Sequence, residues 1–436
     1  MKKGIFIFSL ICTILKTSVH AGVWDSLYLR GKLENDRPFY KPNETMTFTL
    51  NLEGLKQLPK GNYFIEWFRE GDDGKKMTGK SPASLTQPVV IRTSLDRPGF
   101  VRIHAYVVNG KGIRVLKENR THYRHVFFDG GAGVEIDRIT PSPEPDDFDA
   151  FWAGQKKRLA ALPLHAERRT LPSKDPKTRI YAVKINCPGP RPVTAYLTLP
   201  AEASSSKKMP AELHFHGYGT LVMPPPQRGK RDRIVLDVNA HGQELGRTPG
   251  YYKAFFASIR SNGQPYAFDP IQNRDPGTAY FNGMALRVMR ALHYVKSLPE
   301  WDGKNLFVTG ESQGGLQSLW AAGLDASVTR ASVLVPWCCN LGGKTLQGRV
   351  GPDWGISYTR GISYYDPVFH AKRINKGSRI EIVRAGLGDY VCPPSGLAAL
   401  YNAIPCSKSI LWIQGATHGY TPPDPNPSFM FENNNK

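Results

Sequence analysis

Two rhythms divide the chain. From Gly22 to about Phe128 apolar and polar residues alternate with period two: Met46, Phe48, Leu50 and Leu52 are separated by Thr47, Thr49 and Asn51. Val101, Ile103, Ala105 and Val107 repeat the pattern within GFVRIHAYVV, and YFIEWF and PVVIRTSL have the same strand-like composition. Alternation of this kind turns one side of a strand toward a core and the other toward water. KPNE, EGDDGK, DRPG and NGKG punctuate the runs with turn formers. Short strands with turns between them predict an all-β, immunoglobulin-like sandwich over 22–128.

The stretch DGGAGVEIDRITPSPEPDD, rich in glycine, proline and acidic residues, reads as an ordered linker over 129–145. DDFDAFWAGQKKRLAALP then predicts a helix, with Phe151, Trp152, Leu159 and Leu162 as its apolar members. From about Tyr181 strand-like and helix-like runs alternate. AYLTLP, AELHFHG, RIVLDVNA, NLFVTG, ASVLVP, RIEIVRAG and SILWIQG predict buried strands. GMALRVMRALHYVKSL predicts a long helix, with Ala285, Val288, Leu292 and Val295 on one face and Arg287, Arg290 and Lys296 elsewhere. Near-continuous apolar strands separated by helices predict a mostly parallel α/β sheet covered on both faces, over 146–436.

Length and composition fit this division. A chain of 436 residues exceeds one ordinary hydrophobic core. Hydrophobic content of 40% and charged content of 22% are those of a globular protein. The first 21 residues change the picture in another way. Lys2 and Lys3 precede the apolar run IFIFSLICTIL, and Val19-His20-Ala21 ends in a small residue, so a leader cleaved after Ala21 is expected, with export to a periplasm or the outside. No later apolar run approaches the roughly 20 residues that span a bilayer. The formal charge is +20, of which Lys2, Lys3 and Lys16 of the leader supply three, leaving about +17. No nucleic-acid recognition motif accompanies that charge, so it reads as a solvated basic surface. Beyond the leader stand Cys187, Cys338, Cys339, Cys392 and Cys406. Their spacing suggests neither a disulfide framework nor a zinc site, and Cys338-Cys339 reads as a buried pair after a strand.

Candidate chemistry enters at FVTGESQGGLQSLWAAG. Gly310-Glu311-Ser312-Gln313-Gly314 is a G-x-S-x-G string, a weak signal alone. Its position strengthens it, because Leu306, Phe307 and Val308 form a strand, while Leu316, Leu319 and Trp320 mark a helix. Ser312 thus falls in a strand-to-helix elbow, where a hydroxyl stands above the sheet. A serine alcohol needs a base, and the base needs a group to orient it. Asp389 follows the strand RIEIVRAG, and His418 follows the next strand, SILWIQG. Serine, acid and histidine in that order, each after a strand, form the arrangement of an α/β-hydrolase. Against it, His370 comes before the Asp389 strand, and Asp366 precedes a proline and reads as a turn or cap. His214 and His216 stand two apart on a strand, with no third ligand at metal-site spacing, so no metal is expected. An oxyanion needs donors, and the backbone N–H of Gln313 and of Tyr218, in HFHGYG, are the candidates; a plain glycine-rich turn is the alternative for the latter. Trp337, Trp354, Tyr358 and Tyr364 are candidates for a sugar-binding approach, with core packing as the alternative reading.

From about Pro143 to Pro422 the chain resembles the acetyl xylan esterase and cephalosporin-C deacetylase group, carbohydrate esterase family seven. DDFDAFW, AELHFHGYG, GESQGG, YYDPVFHAKRI, GLGDYVCPPS and GATHG carry the resemblance, in family order. It implies an α/β-hydrolase with Ser312 as nucleophile, Asp389 as orienter, His418 as base, and oxyanion donors at Tyr218 and Gln313. The chain departs from the family at His241, where an arginine usually stands, and at Gly419, where a glutamate usually follows the histidine. The β-rich first part is an addition to the simplest members, which are often hexamers, and leaves the oligomeric state open. The expected activity is removal of O-acetyl groups from sugars through an acyl-enzyme, with an acetylated carbohydrate as substrate and no cofactor. A serine exopeptidase, a non-acetyl carbohydrate esterase such as a glucuronoyl esterase, and a glycan-binding protein on a silent hydrolase fold are the alternatives.

Overall fold

The alternating N-terminal residues pair as strands. In the computed structural model, which describes residues 22–118, 124–423 and 427–433, they form β1 (Tyr28–Leu33), β2 (Phe39–Tyr40), β3 (Met46–Glu53), β4 (Tyr63–Gly71), β5 (Lys76–Pro82), β6 (Val89–Thr93), β7 (Gly99–Asn109) and β8 (Phe127–Val134). The expected leader lies outside the described residues. β1, β3 and β6 make one antiparallel sheet, and a second runs in the order β2-β8-β7-β4-β5. In β3 every second residue is buried, as its sequence period demands. Phe48, Leu50, Ile65, Ile91, Ile103 and Val107 belong to the core that these two sheets share.

The remaining elements are α1 (Phe148–Ala160), β9 (Ala166–Leu171), β10 (Thr178–Ile185), β11 (Val193–Pro200), β12 (Met209–Phe215), β13 (Ile234–Val238), α2 (Pro249–Ser258), α3 (Tyr280–Lys296), β14 (Trp301–Glu311), α4 (Gln313–Leu324), β15 (Arg330–Leu334), α5 (Gly343–Gln347), α6 (Pro367–Ala371), β16 (Arg379–Gly386), α7 (Pro394–Ala403), β17 (Ser407–Ile413) and β18 (Ser428–Asn433). One sheet takes all ten strands, in the order β18-β17-β16-β15-β14-β12-β13-β11-β10-β9. The run from β13 to β17 is parallel throughout. Antiparallel strands close its two sides, β11, β10 and β9 at one and β18 at the other. Every residue of β11 is buried, so both faces of the sheet are covered there. Because β14, β16 and β17 run the same way, the loops that leave them emerge at one sheet edge. Ser312, Asp389 and His418 all lie just beyond those strand ends.

Two expectations change. The linker read over 129–145 begins with a strand instead: β8 extends to Val134 and pairs with β7 from Tyr106↔Phe127 to Gly99↔Val134. Glycines concealed it, because this sheet face is pressed against the second half of the chain. A Cβ on Gly131 would meet the Val101 carbonyl oxygen at 2.4 Å and that of Leu387 at 3.1 Å. On α3, Arg287 and Arg290 lie buried with the apolar residues. Arg287 Nε donates to the Ala240 carbonyl at 2.9 Å, and Arg290 Nη2 to those of Leu159 and Leu162 at 3.1 and 2.9 Å. Their charges tie segments together where a helical period assigns them away from the apolar face.

The two halves meet behind the Asp389 loop. Gly131 N–H donates to Gln414 Oε1 at 3.0 Å, and Gln414 Nε2 donates back to the Gly131 carbonyl at 2.8 Å. Gly388 sits so close to β8 that a Cβ would lie 1.9 Å from the Asp129 carbonyl oxygen. Gly388→Ala is therefore expected to lower unfolding free energy by roughly 1–3 kcal/mol through overpacking, read as a lower urea midpoint. Gly154, in α1, has open space around its Cβ position. Gly154→Ala should leave the midpoint unchanged or raise it by up to about 1 kcal/mol in equivalent stability.

Candidate active site

β14 ends at Glu311 and α4 begins at Gln313, so a single residue makes the turn. That residue, Ser312, has φ 55° and ψ −114°, outside the regions a side chain prefers. Its surroundings hold it there. Ser312 N–H donates to the Leu334 carbonyl at 2.9 Å, and its own carbonyl accepts from Leu316 and Trp337 at 3.0 and 3.1 Å. Gly314 follows because the turn folds back on β12: a Cβ there would stand 2.0 Å from the Phe215 carbonyl oxygen. Gly310 is required likewise, since its Cβ would meet the Gly314 backbone at 2.4 Å.

The other two candidates arrive from neighbouring loops. His418 Nε2 lies 3.0 Å from Ser312 Oγ, and His418 Nδ1 lies 3.0 Å from Asp389 Oδ2. Asp389 is fully buried, and its Oδ1 accepts from the N–H groups of Val391 and Cys392 at 3.0 and 2.9 Å. Those bonds fix the carboxylate plane toward the imidazole. The loops carrying acid and histidine are tied to each other, with Gly388 N–H on the Ala416 carbonyl and Leu387 N–H on that of Ile413, both at 3.0 Å. Arg384, which sequence reasoning missed, links the third side: its Nη2 donates to the His418 carbonyl at 3.0 Å and to Glu311 Oε1 at 2.5 Å. An imidazole held between a buried carboxylate and a serine hydroxyl can take the hydroxyl proton and be stabilised as imidazolium.

Asp389, Cys392 and His418 also place one possible metal-ligand atom each within 4.8 Å of one another. Their chemistry argues against ligation. The Asp389 and His418 atoms are already bonded to each other, the Cys392 thiol donates to the Val335 carbonyl at 3.1 Å, and burial pushes that thiol far up, keeping it protonated.

The loop after β12 lies against the elbow, with Gly314 packed on the backbone of Phe215 and His216. Among the described residues neither Gln313 N–H nor Tyr218 N–H is spent on a hydrogen bond. Tyr266, also absent from the sequence reading, couples the two. Its hydroxyl accepts from Gly219 N–H and donates to Gln313 Oε1, each at 2.9 Å, while its ring stacks on Tyr218 at 4.4 Å. Burial raises the Tyr266 phenol well above its ordinary pKa, so it remains a donor. His241 supports the same turn. Its Nε2 donates to the Gly219 carbonyl at 3.0 Å, which leaves Nδ1 to accept from Tyr280 Oη at 2.9 Å. Burial pushes the imidazole down to about 3, so it is neutral. No local pattern reveals these partners, since Tyr266 and His241 reach them from loops far apart in the chain.

The remaining candidates separate. Trp337 and Trp354 stack at 5.1 Å, and both meet Tyr218 edge-on, at 5.3 and 4.8 Å. Tyr358 lines a cavity of about 380 Å³ beside them. Tyr364 is not part of this approach: it packs on Phe148 and Phe151 of α1, and its hydroxyl bonds Asp147. For Tyr364 the core-packing alternative holds, because the aromatic face of α1 claims its ring. Asp366 is the cap expected, accepting from Val368, Asn340 and Leu341 N–H. His370 is buried with its Nε2 on the Tyr364 carbonyl. His214 is half exposed and turns to Asp237, whereas His216 is occupied by the N–H of Ala240, so the two share no ligand.

A family model described as acetyl xylan esterase (AXE1) matches residues 135–344 and 356–431. Acetyl esterase Axe7A of Xylanibacter ruminicola is 28% identical over 353 residues, which are 77% of this chain and 74% of that protein. Two solved structures share the fold. Acetyl xylan esterase from Paenibacillus sp. R4 has a TM-score of 0.52 at 23% identity, covering 66% of this chain and 94% of its own. Acetyl xylan esterase 1 from Thermoanaerobacterium sp. JW/SL YS485 has a TM-score of 0.53 at 20% identity, with the same two coverages.

Tyr266 provides the sharpest test of this geometry. Tyr266→Phe keeps the ring stack and removes only the hydroxyl that joins Gly219 to Gln313. Hydrolysis of a chromogenic acetate ester is expected to fall about tenfold in kcat with KM little changed, the mark of an interaction felt in the transition state. A rise in KM alone would show that the hydroxyl serves substrate binding instead.

Proposed function

The chain belongs to the acetyl xylan esterase family, whose members are carboxylic ester hydrolases, and from that premise we propose that it removes O-acetyl groups from sugars with Ser312, His418 and Asp389 as a catalytic triad. The observation that carries the reading is the unbroken chain from buried Asp389 through His418 to Ser312, two contacts of 3.0 Å at the N-terminus of α4.

Ser312 Oγ attacks the acetyl carbonyl carbon while His418 Nε2 takes its proton. Asp389 holds the Nδ1–H tautomer and stabilises the imidazolium. The N–H groups of Gln313 and Tyr218 receive the oxyanion, each such donor being worth about 2.7–4 kcal/mol in the transition state. The bond from carbonyl carbon to sugar oxygen then breaks as His418 returns the proton to that oxygen. Water, deprotonated by His418, attacks the acetyl-serine; the bond from acetyl carbon to Ser312 Oγ breaks, His418 returns the proton to Oγ, and acetate leaves. The chemistry draws on no metal or organic cofactor. We further read residues 1–21 as an export leader, so that the enzyme works in a periplasm or outside the cell, and residues 22–128 as an immunoglobulin-like sandwich ahead of the α/β-hydrolase.

The test is acetate release from a chromogenic acetate ester and from acetylated xylo-oligosaccharides. Ser312→Ala is expected to lose most of the rate, up to about a millionfold, and Asp389→Asn about ten-thousandfold, with circular dichroism unchanged. A Ser312→Ala protein that retained wild-type turnover would refute the mechanism. Release from the small ester alone would leave the esterase and remove the sugar.

A further inference from the structure

The family match breaks between residues 344 and 356. In this chain that stretch joins the N-terminal sheets to the candidate site. On one side the turn after β4 holds it. Asp72 is buried and accepts from Val350 N–H at 2.9 Å, from Phe100 N–H at 2.9 Å and from Arg349 Nη1 at 3.3 Å. Arg349 Nη1 also donates to the Pro98 carbonyl. Arg102 of β7 pairs with Asp353 through Nη1 and Nη2 at 3.1 and 2.9 Å. On the other side Trp354 stacks on Trp337 and meets Tyr218 edge-on. Trp337 donates its N–H to the Ser312 carbonyl.

The segment also walls the cavity of about 380 Å³, which Arg349, Val350, Gly351 and Pro352 line together with Tyr358 and Val391. Neither Ser312 nor His418 lines it. Two lining residues touch the candidate triad from behind: Trp337 through its backbone N–H on the Ser312 carbonyl, and Val391 through its N–H on Asp389 Oδ1. An acetyl group needs only a small fraction of that space. The lining includes Thr345, Ser357 and Ser395, whose hydroxyls suit the hydroxyls of a sugar, together with Tyr358.

We propose that this cavity receives the sugar on the alcohol side of the ester, and that the N-terminal sheets are part of the enzyme's substrate selection because Asp72 and Arg102 hold the 345–355 segment that walls it. The proposal rests on the sugar-esterase reading. Asp72 and Asp353 are positioning residues: they touch neither the three catalytic candidates nor, on this assignment, the substrate. Their loss frees the wall while the triad stays in place.

Kinetics of full-length Asp72→Ala and Asp353→Ala against wild type test this, on 4-nitrophenyl acetate and on acetylated xylo-oligosaccharides. KM for the oligosaccharides is expected to rise about tenfold in Asp72→Ala and about threefold in Asp353→Ala, with kcat/KM for the small ester within about twofold of wild type. Asp353 is 60% exposed, so its variant carries the test if Asp72→Ala does not fold. Equal losses on both substrates would overturn the proposal by showing that the contact supports the triad loops. No change on either would overturn it by showing that the wall does not depend on the contact. Should wild type cleave the small ester and no acetylated sugar, the sugar reading fails separately. The clamp is then judged on methyl against naphthyl acetate: a shifted preference in Asp353→Ala retains it, and an unchanged preference ends it.

Discussion

A serine held at positive φ, the single residue between strand and helix, is the constraint on which the site depends. Such a conformation costs on the order of 1–3 kcal/mol and persists only where neighbours over-determine it. Here β15 fixes the serine N–H, α4 and Trp337 fix its carbonyl, and β12 leaves no room for a side chain at Gly314. The parallel pairing of β12, β14 and β15 therefore shapes more than a core. It sets the hydroxyl where an imidazole from the β17 loop reaches it, and it leaves the first N–H of α4 unspent among the described residues.

Around this elbow the structure uses buried, neutral polar groups as struts. Tyr266 connects the turn after β12 to the Gln313 side chain, and His241, itself bonded to Tyr280, holds the same turn, through hydrogen bonds of 2.9–3.0 Å. Burial keeps each in its uncharged form, down for the imidazole and up for the phenols. A neutral strut brings no net charge beside Ser312, and in low dielectric each fully paired hydrogen bond is strong. His241 fits this scheme, because its two nitrogens are both satisfied without a buried charge.

The N-terminal sheets contribute through contact rather than chemistry. β8 backs the Asp389 loop so tightly that glycine stands on both sides, Gly131 and Gly388. Gln414, just after β17, exchanges two hydrogen bonds with Gly131 only four residues before His418. Arg102 joins Asp129 of the sheet to Asp353 of the segment beside the aromatic cluster, and lies over the Tyr390 ring. The same face therefore supports the acid loop, the histidine loop and the 345–355 segment.

What the sequence determined was what short-range pattern can carry. Period-two alternation marked β3 and β7, strand-like composition marked β4 and β6, apolar runs marked the parallel strands, and the chain order of Ser312, Asp389 and His418 placed all three at one sheet edge. It also marked Asp366 as a cap, because a carboxylate before proline has a local partner. What it did not carry were the contacts between distant segments. β8 was hidden because close packing demands glycine, which looks like a linker when its neighbour is unseen. Arg287 and Arg290 were set apart from the apolar residues because a helical period cannot show that backbone carbonyls from other segments wait for them. Tyr364 went to α1, and Tyr266, His241 and Arg384 took their places, by tertiary packing alone. A hydrogen bond between residues tens of positions apart has no period, and only the folded chain, by excluding water and bringing the partners to 3 Å, decides which polar groups must satisfy each other.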